Sequence, residues 1–507
     1  MGRDGVQKNG IIKSKTMKEE TIREVYFVDT TFRDGHASLW AEGMTTGMML
    51  PVASQMDQVG FKAMEVIATS HFKKCVRELR EDPWERIRML AQRITHTPLR
   101  LMMHCSVTAF DITPFSILRL WLERIAANGI KEVQLMEPSN DMSFRIPQVV
   151  QFAKEVGLKV VLALVYSLSP KHTDEYYAQK TRDAVKLKPD VLYLKDPGGL
   201  LTPEATSRII PIILKNAGEI PVELHSHCTT GLAPLCYLEA IKLGIKIVHT
   251  AIPPLANGPS QPSVFNIVQN LRWLGYIPVI DEETVKPIAE HFLYIAKREG
   301  LPIGSPVEYE YYQYIHQVPG GVISNLKHQL SQLKMEHRLD EVLEEVVRVR
   351  QDLGYPIMVT PFSQFIVSQA AINVITGERY KYITDEIIQY TLGHWGKEAA
   401  DNINPDIKDR ILSHPRAKEL MKWEPPEPSI EEVRQKLGGP NVSDEELLLR
   451  YMMGGEEEIK AMRAAGPIKE YPSARMPLLL LLEELTRRKD LTYIYIRAGN
   501  LNLVLQK

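Results

Sequence analysis

Short apolar runs alternate with longer amphipathic stretches along the first half of the chain. The runs are Val25–Asp29, Phe61–Ala68, Leu99–Cys105, Glu132–Met136, Lys159–Val165, Asp190–Leu194, Pro221–Leu224 and Lys246–Ala251. Their length and near-continuous hydrophobicity predict buried strands. Between them, Asp82–Ile94, Ser116–Asn128, Pro147–Val156, Tyr176–Leu187, Pro203–Asn216 and Leu232–Leu243 carry apolar residues at helical spacing. Strands that alternate with helices pair in parallel. Eight such units in about 250 residues predict an α/β fold, a TIM (β/α)8 barrel. A doubly wound open sheet is the alternative.

After about Asp281 only the helical period remains: Glu283–Arg298, Ser324–Met335, Leu339–Leu353, Ser363–Thr376, Glu386–His394 and Asn404–Ser413. The Pro-rich stretch Trp423–Pro428 interrupts it, and Ser429–Leu437 and Ser443–Met452 resume it. Pro477–Lys489 predicts a helix. Leu491–Ile496 and Leu501–Leu505 predict a hairpin turning at Arg497-Ala498-Gly499-Asn500. The expected organisation is a disordered N-terminus (1–20), a barrel (21–300), a C-terminal α-helical domain (301–470) and a small helix–hairpin tail (471–507).

Charge narrows the partners. The 61 basic and 63 acidic residues give a net charge of −2, so nothing favours nucleic acid or an anionic membrane. The leucine run Leu478–Leu482 is far too short to span a bilayer. Met1–Glu20 lacks the apolar core of a secretory signal, and Val6 stands where a myristoylation motif wants Ser or Thr. The cysteines, Cys75, Cys105, Cys228 and Cys236, form no Cys-x-x-Cys pair, which suits a reducing cytoplasm.

A barrel places its chemistry at the C-terminal ends of its strands. Three polar words stand there: Asp34 in Phe32-Arg33-Asp34-Gly35-His36, Lys195-Asp196, and His225-Ser226-His227. Alternate residues of a strand share a face, so both imidazoles can point at one ion. Taken singly, each word has a plainer reading: a turn carboxylate, a salt bridge, a hydrogen-bonded histidine pair. Their common placement on one barrel face favours a metal held by Asp34, Lys195, His225 and His227. Imidazole and carboxylate donors suit Zn²⁺, Mn²⁺ or Co²⁺ more than Mg²⁺ or Ca²⁺. An ammonium is no ligand, so Lys195 must be deprotonated or carbamylated. His36, His71 and His104 titrate near neutrality and are candidate acid/base or substrate-binding groups. For each, a structural, hydrogen-bonded histidine is the equal alternative.

At these residues the chain resembles a known family. Asp29-Thr30-Thr31-Phe32-Arg33-Asp34-Gly35-His36-Ala37-Ser38-Leu39 is similar to the opening motif of biotin-dependent carboxyltransferases, the group that includes pyruvate carboxylase, the oxaloacetate decarboxylase α subunit and the transcarboxylase 5S subunit. The resemblance continues through Glu81-Asp82-Pro83-Trp84-Glu85-Arg86, Leu194-Lys195-Asp196, Leu224-His225-Ser226-His227, Ser260-Gln261-Pro262, Pro319-Gly320-Gly321 and Val359-Thr360-Pro361-Phe362-Ser363-Gln364, from about Val25 to about Pro467. It implies a metal on Asp34, carbamylated Lys195, His225 and His227, and a helical funnel closing the barrel mouth. It implies that Thr360 shuttles a proton between substrate and the biotin ring, and that Arg33 helps hold the enolate or carboxylate.

The pocket departs from the family. A family Gln is Ala37 here, and the Arg that closes the third strand and grips a 2-oxo acid aligns with His104. Loss of a bidentate guanidinium removes the natural partner of a carboxylate. The small-molecule acceptor expected is therefore enolisable but other than pyruvate or oxaloacetate. The sequence shows no Gly-rich ATP loop and no Met-Lys-Met biotin acceptor. A biotin carboxylase subunit and a biotin carboxyl carrier protein are thus expected on other chains, with the tail as a docking element. A homodimer or larger assembly is expected by analogy. The competing readings are a biotin-independent metal-dependent lyase or aldolase of the related barrels and a non-catalytic assembly subunit.

Overall fold

The computed structural model describes residues 23–108, 111–472, 481, 482, 485, 488, 490, 492–499 and 501–506. The N-terminus expected to be disordered (1–20) lies outside these, as does most of the expected helix Pro477–Lys489. Strands β1 (Glu24–Asp29), β2 (Ala63–Ala68), β3 (Leu99–His104), β4 (Glu132–Met136), β5 (Lys159–Val165), β6 (Val191–Asp196), β7 (Val222–Ser226) and β8 (Ile247–Thr250) pair in sequence order, all in parallel. β1 pairs with both β8 and β2, which closes the barrel and rules out the open sheet. A two-residue strand, β9 (Ile277–Pro278), extends β1 at its start.

Helices return the chain from one strand to the next. Several begin where a polar side chain caps the first turn and proline follows. Asp82 accepts from the Trp84 N–H ahead of helix Pro83–Arg93, and Thr202 accepts from the Ala205 N–H ahead of helix Pro203–Ala217. Proline at that first position sacrifices no helical hydrogen bond.

The barrel interior has two characters. Ala68, Met102, Met136, Val161, Ala163, Val165 and Tyr193 form an apolar cluster, which Ile357 and Val359 of the helical region join. Alongside runs a buried polar network. Arg100 bridges Glu132 at 2.7 Å and Glu223 at 2.6 Å. Glu223 lies 2.8 Å from His249 Nε2, and His249 Nδ1 lies 3.0 Å from Glu65. Gln134 donates to Glu65 at 3.0 Å. Charges this deeply buried hold only when fully paired.

Packing within residues 301–470 is of two kinds. Val318, Leu330, Val346, Phe365, Ile388 and Leu420 belong to a separate helical core, into which, among the described residues, only Ile112 of the barrel loops reaches. Helices Asp444–Met453 and Glu457–Ala464 return to the barrel instead, burying Leu447, Leu448, Met452 and Ile459 in its outer core. Glu445 anchors them through Arg88 at 2.9 Å and Arg124 at 2.8 Å. The hairpin forms, Tyr493–Ala498 antiparallel to Leu501–Gln506, but Arg497 and Ala498, expected in the turn, pair with Asn502 and Leu501. No helix among the described residues is long and apolar enough to cross a membrane.

Candidate metal centre

Asp34 sits in a tight π-helical turn, Thr31–Gly35, directly after β1. Gly35 allows that turn to press against the loop after β8, since a Cβ there would meet Leu255 O at 3.0 Å. Lys195 is the penultimate residue of β6, with its side chain in the barrel, and its neighbour Asp196 faces the other way. Asp196 accepts the Leu200 and Leu201 N–H groups and the Ser226 hydroxyl, so it braces a loop. His225 and His227 share a face at the end of β7, as their alternate spacing predicts.

These side chains converge. Asp34 Oδ2 lies 3.1 Å from His225 Nε2, 3.4 Å from His227 Nε2 and 3.8 Å from Lys195 Nζ. The two Nε2 atoms are 3.3 Å apart. All four residues are buried. Asp34 Oδ2 also lies 2.8 Å from Arg33 Nη1, so the guanidinium holds the carboxylate from behind. His227 Nδ1 lies 2.6 Å from the Pro259 carbonyl and donates there, which turns Nε2 toward the centre. A carboxylate oxygen facing two imidazole nitrogens fits a divalent cation.

Electrostatics agree with this geometry. Burial alone would raise the Asp34 pKa, but the charge of Arg33, with Lys195 beside it, holds it well below the usual range. Burial and then the charge of Arg33 bring Lys195 down to about 8, which brings a neutral, nucleophilic amine nearer to neutral pH. Burial and the charge of Lys195 keep His225 neutral.

Arg33 serves these carboxylates. Its Nε donates to Glu65 at 2.7 Å, its Nη2 also engages Glu65, and its Nη1 lies 2.8 Å from Asp34. His104 ends β3 with Nδ1 buried and unpartnered, lowered to about 4 by burial and by the charges of Lys195 and Arg33. His36 and His71 instead pack on each other, ring centroids 4.9 Å apart. Burial and the charge of Arg86 lower His36 to about 3. Ala37 is half-buried in the short helix after the Asp34 turn. Thr360 accepts from Gln364 at 3.4 Å and follows Val359, which plugs the barrel mouth.

Sequence reasoning missed Gln261, whose Nε2 lies 3.1 Å from His227 Nε2 while its Oε1 accepts from Thr30 at 2.8 Å. The signal was present in the Ser260-Gln261-Pro262 motif. It also missed Glu65 and His249, single polar residues inside strands that otherwise read as apolar. Glu137, at the end of β4, is raised to about 7 by burial and then by Asp141, against hydrogen bonds from Ser139. A carboxyl whose folded pKa exceeds its unfolded value contributes stability below the unfolded pKa and loses it as pH rises through about 7. Glu137→Gln should therefore flatten the fall in stability between pH 5 and 8 by roughly 3 kcal/mol, read from urea midpoints.

Residues 24–258 match the HMGL-like family model, and residues 314–475 match the model of the conserved carboxylase domain. A pyruvate carboxylase subunit of Methanocaldococcus jannaschii is 37% identical over 456 residues, covering 88% of this chain and 79% of that protein. The 2-oxoglutarate carboxylase large subunit of Hydrogenobacter thermophilus is 32% identical over 84% of this chain and 66% of that one. The methylmalonyl-CoA carboxyltransferase 5S subunit of Propionibacterium freudenreichii is 30% identical over 75% of each. The carboxyl transferase domain of Rhizobium etli pyruvate carboxylase, solved with pyruvate, shares the fold with a TM-score of 0.80 at 22% identity, over 95% of this chain and 83% of that one. With both halves matched by family models and most of its length aligned to dedicated carboxylase subunits, the chain belongs to the family of carboxyltransferase subunits of biotin-dependent enzymes.

Proposed function

We propose that this protein moves CO₂ between carboxybiotin and an enolisable carbon acceptor at a metal held by Asp34, carbamylated Lys195, His225 and His227. The observation that carries this reading is the convergence of those four side chains on one buried point at the barrel mouth. Zn²⁺, Mn²⁺ or Co²⁺ fits the donor set and, when bound, supplies a Lewis acid for an acceptor carbonyl. Arg33 positions Asp34 and neutralises Glu65. Thr360 carries a proton between acceptor and biotin, because a hydroxyl both donates and accepts. His104 replaces a guanidinium with a neutral ring, which argues against pyruvate and oxaloacetate as acceptors.

Biotin arrives on a separate carrier chain, carboxylated by a separate biotin carboxylase. The three relatives described above are each named as one subunit of a larger enzyme, which supports a divided assembly here. The tail hairpin, with Tyr493, Tyr495 and Val504 exposed, is the proposed docking element. The four cysteines are free and buried, which suits a reducing cytoplasm. The conserved carboxylase domain match over 314–475 favours this reading over a biotin-independent lyase.

Metal analysis of the purified chain tests the centre. About one ion per chain is expected, lost on chelation together with carboxyl transfer. A fully active, metal-free chain refutes it. Deletion of residues 470–507 should abolish recovery of the biotinylated carrier in a pull-down, and unchanged recovery refutes docking.

A further inference from the structure

Gln261 is fully buried, and its side chain ends beside both imidazoles of the centre. The terminal nitrogen lies 3.1 Å from His227 Nε2 and 3.4 Å from His225 Nε2. Asp34 Oδ2 stands 3.4 Å and 3.1 Å from the same two atoms, which are themselves 3.3 Å apart. Donors bound to one ion at about 2.0–2.2 Å stand roughly 3.0–3.5 Å from one another. The end of Gln261 therefore occupies a coordination position, as the carboxylate does.

The orientation of its amide then matters. With Nε2 inward, Oε1 accepts from Thr30 at 2.8 Å, and Ser260 Oγ lies 3.3 Å away. An ion that takes both imidazole lone pairs leaves the inward N–H groups nothing to donate to. It also meets their positive hydrogens with its own charge. Turned end for end, the amide presents Oε1 to the ion and its N–H groups to the two hydroxyls.

Those hydroxyls can receive it. Thr30 Oγ1 lies 3.0 Å from the Thr250 carbonyl, and Ser260 Oγ lies 2.7 Å from the Leu255 carbonyl. A hydroxyl carries one hydrogen and two acceptor sites. Each can give its hydrogen to its carbonyl and accept one N–H from Gln261. Every polar atom of this buried group is then satisfied, with Oε1 left for the metal.

We propose that Gln261 is a further ligand of the divalent cation, through Oε1, and that Thr30 and Ser260 hold its amide in that sense. This rests on the proposed metal centre and adds a neutral oxygen donor to it. A carbonyl oxygen suits Mn²⁺ better than Zn²⁺, so the added donor shifts the preference of the centre in that direction.

Mn²⁺ binding to the full-length chain, followed by electron paramagnetic resonance, tests this. Gln261→Met should weaken binding at least ~10-fold and admit one more water to the ion, counted by line broadening in ¹⁷O-enriched water. Gln261→Glu should keep the wild-type water count and bind at least as tightly, because an oxygen donor stays in place. A Gln261→Met chain with wild-type affinity overturns the proposal. So does weaker binding at an unchanged water count, the mark of an amide that only hydrogen-bonds to bound water. Should Gln261→Met fail to fold, the wild-type chain decides. With ¹³C at the glutamine Cδ positions, bound Mn²⁺ should couple to a carbon two bonds away, and absence of that coupling overturns the proposal. Mn²⁺ that His227→Ala removes and both Gln261 variants leave untouched sinks this inference and leaves the metal reading standing. A chain that takes up no ion sinks both.

Discussion

His227→Ala is expected to leave the chain without bound metal and to lower carboxyl transfer at least ~10³-fold. Three features make this position more telling than its partners. Its ring is fixed by the Pro259 carbonyl, so the lone pair at Nε2 is aimed before any ion arrives. Its Nε2 stands 3.4 Å from Asp34 Oδ2 and 3.3 Å from His225 Nε2, so its loss opens one side of the centre. It also lies outside the polar network below, so the fold has little reason to fail. Metal content by plasma mass spectrometry, circular dichroism and transfer rate, measured on one preparation, check the claim. A variant that keeps stoichiometric metal and full rate would falsify the assignment of this ring as a ligand.

The second large effect concerns stability. Arg100→Met should destabilise the protein by about 3–5 kcal/mol, because Glu132 and Glu223 then remain as buried, uncompensated carboxylates. For a chain of this size the thermal midpoint should fall by roughly 3–5 °C. Adding Glu132→Gln and Glu223→Gln to Arg100→Met should recover a substantial part of the loss, because neutral amides cost less to bury than charges. If the triple variant is no more stable than Arg100→Met, the penalty arises from lost packing around the guanidinium stem and not from stranded charge.

Much of the architecture was legible because it obeys two periods. The eight strands fall within about two residues of their apolar runs, and helices start at Asp-Pro and Thr-Pro signals that caps and proline geometry dictate. The hairpin was legible from its turn. The boundary inside the helical region was not. Ser443–Met452 reads as an ordinary amphipathic helix, and nothing in its period says that its apolar face covers the barrel and not its helical neighbours.

The centre shows the same division. Asp34, Lys195, His225 and His227 stand at strand ends, where barrel geometry makes polar residues conspicuous. Glu65 and His249 lie in mid-strand, where an apolar run conceals them, and their pairing crosses the barrel from β2 to β8. Only closure brings them together. His36, two residues past Asp34, turns instead onto His71 of the helix after β2, since proximity along the chain does not fix direction after a π-helical turn.

That cross-barrel pairing bears on how the molecule can be assembled or cut. Arg100 of β3 answers to Glu132 of β4 and Glu223 of β7, while His249 of β8 joins Glu223 to Glu65 of β2. A fragment ending after β4 or β5 keeps Arg100 on Glu132 but loses the Arg100–Glu223 and Glu65–His249 links, so each piece should be less stable alone than in the closed ring. Engineers wishing to reconnect the termini elsewhere can move the break point between strands. They cannot divide the ring, and two cleaved pieces should regain structure only when mixed together.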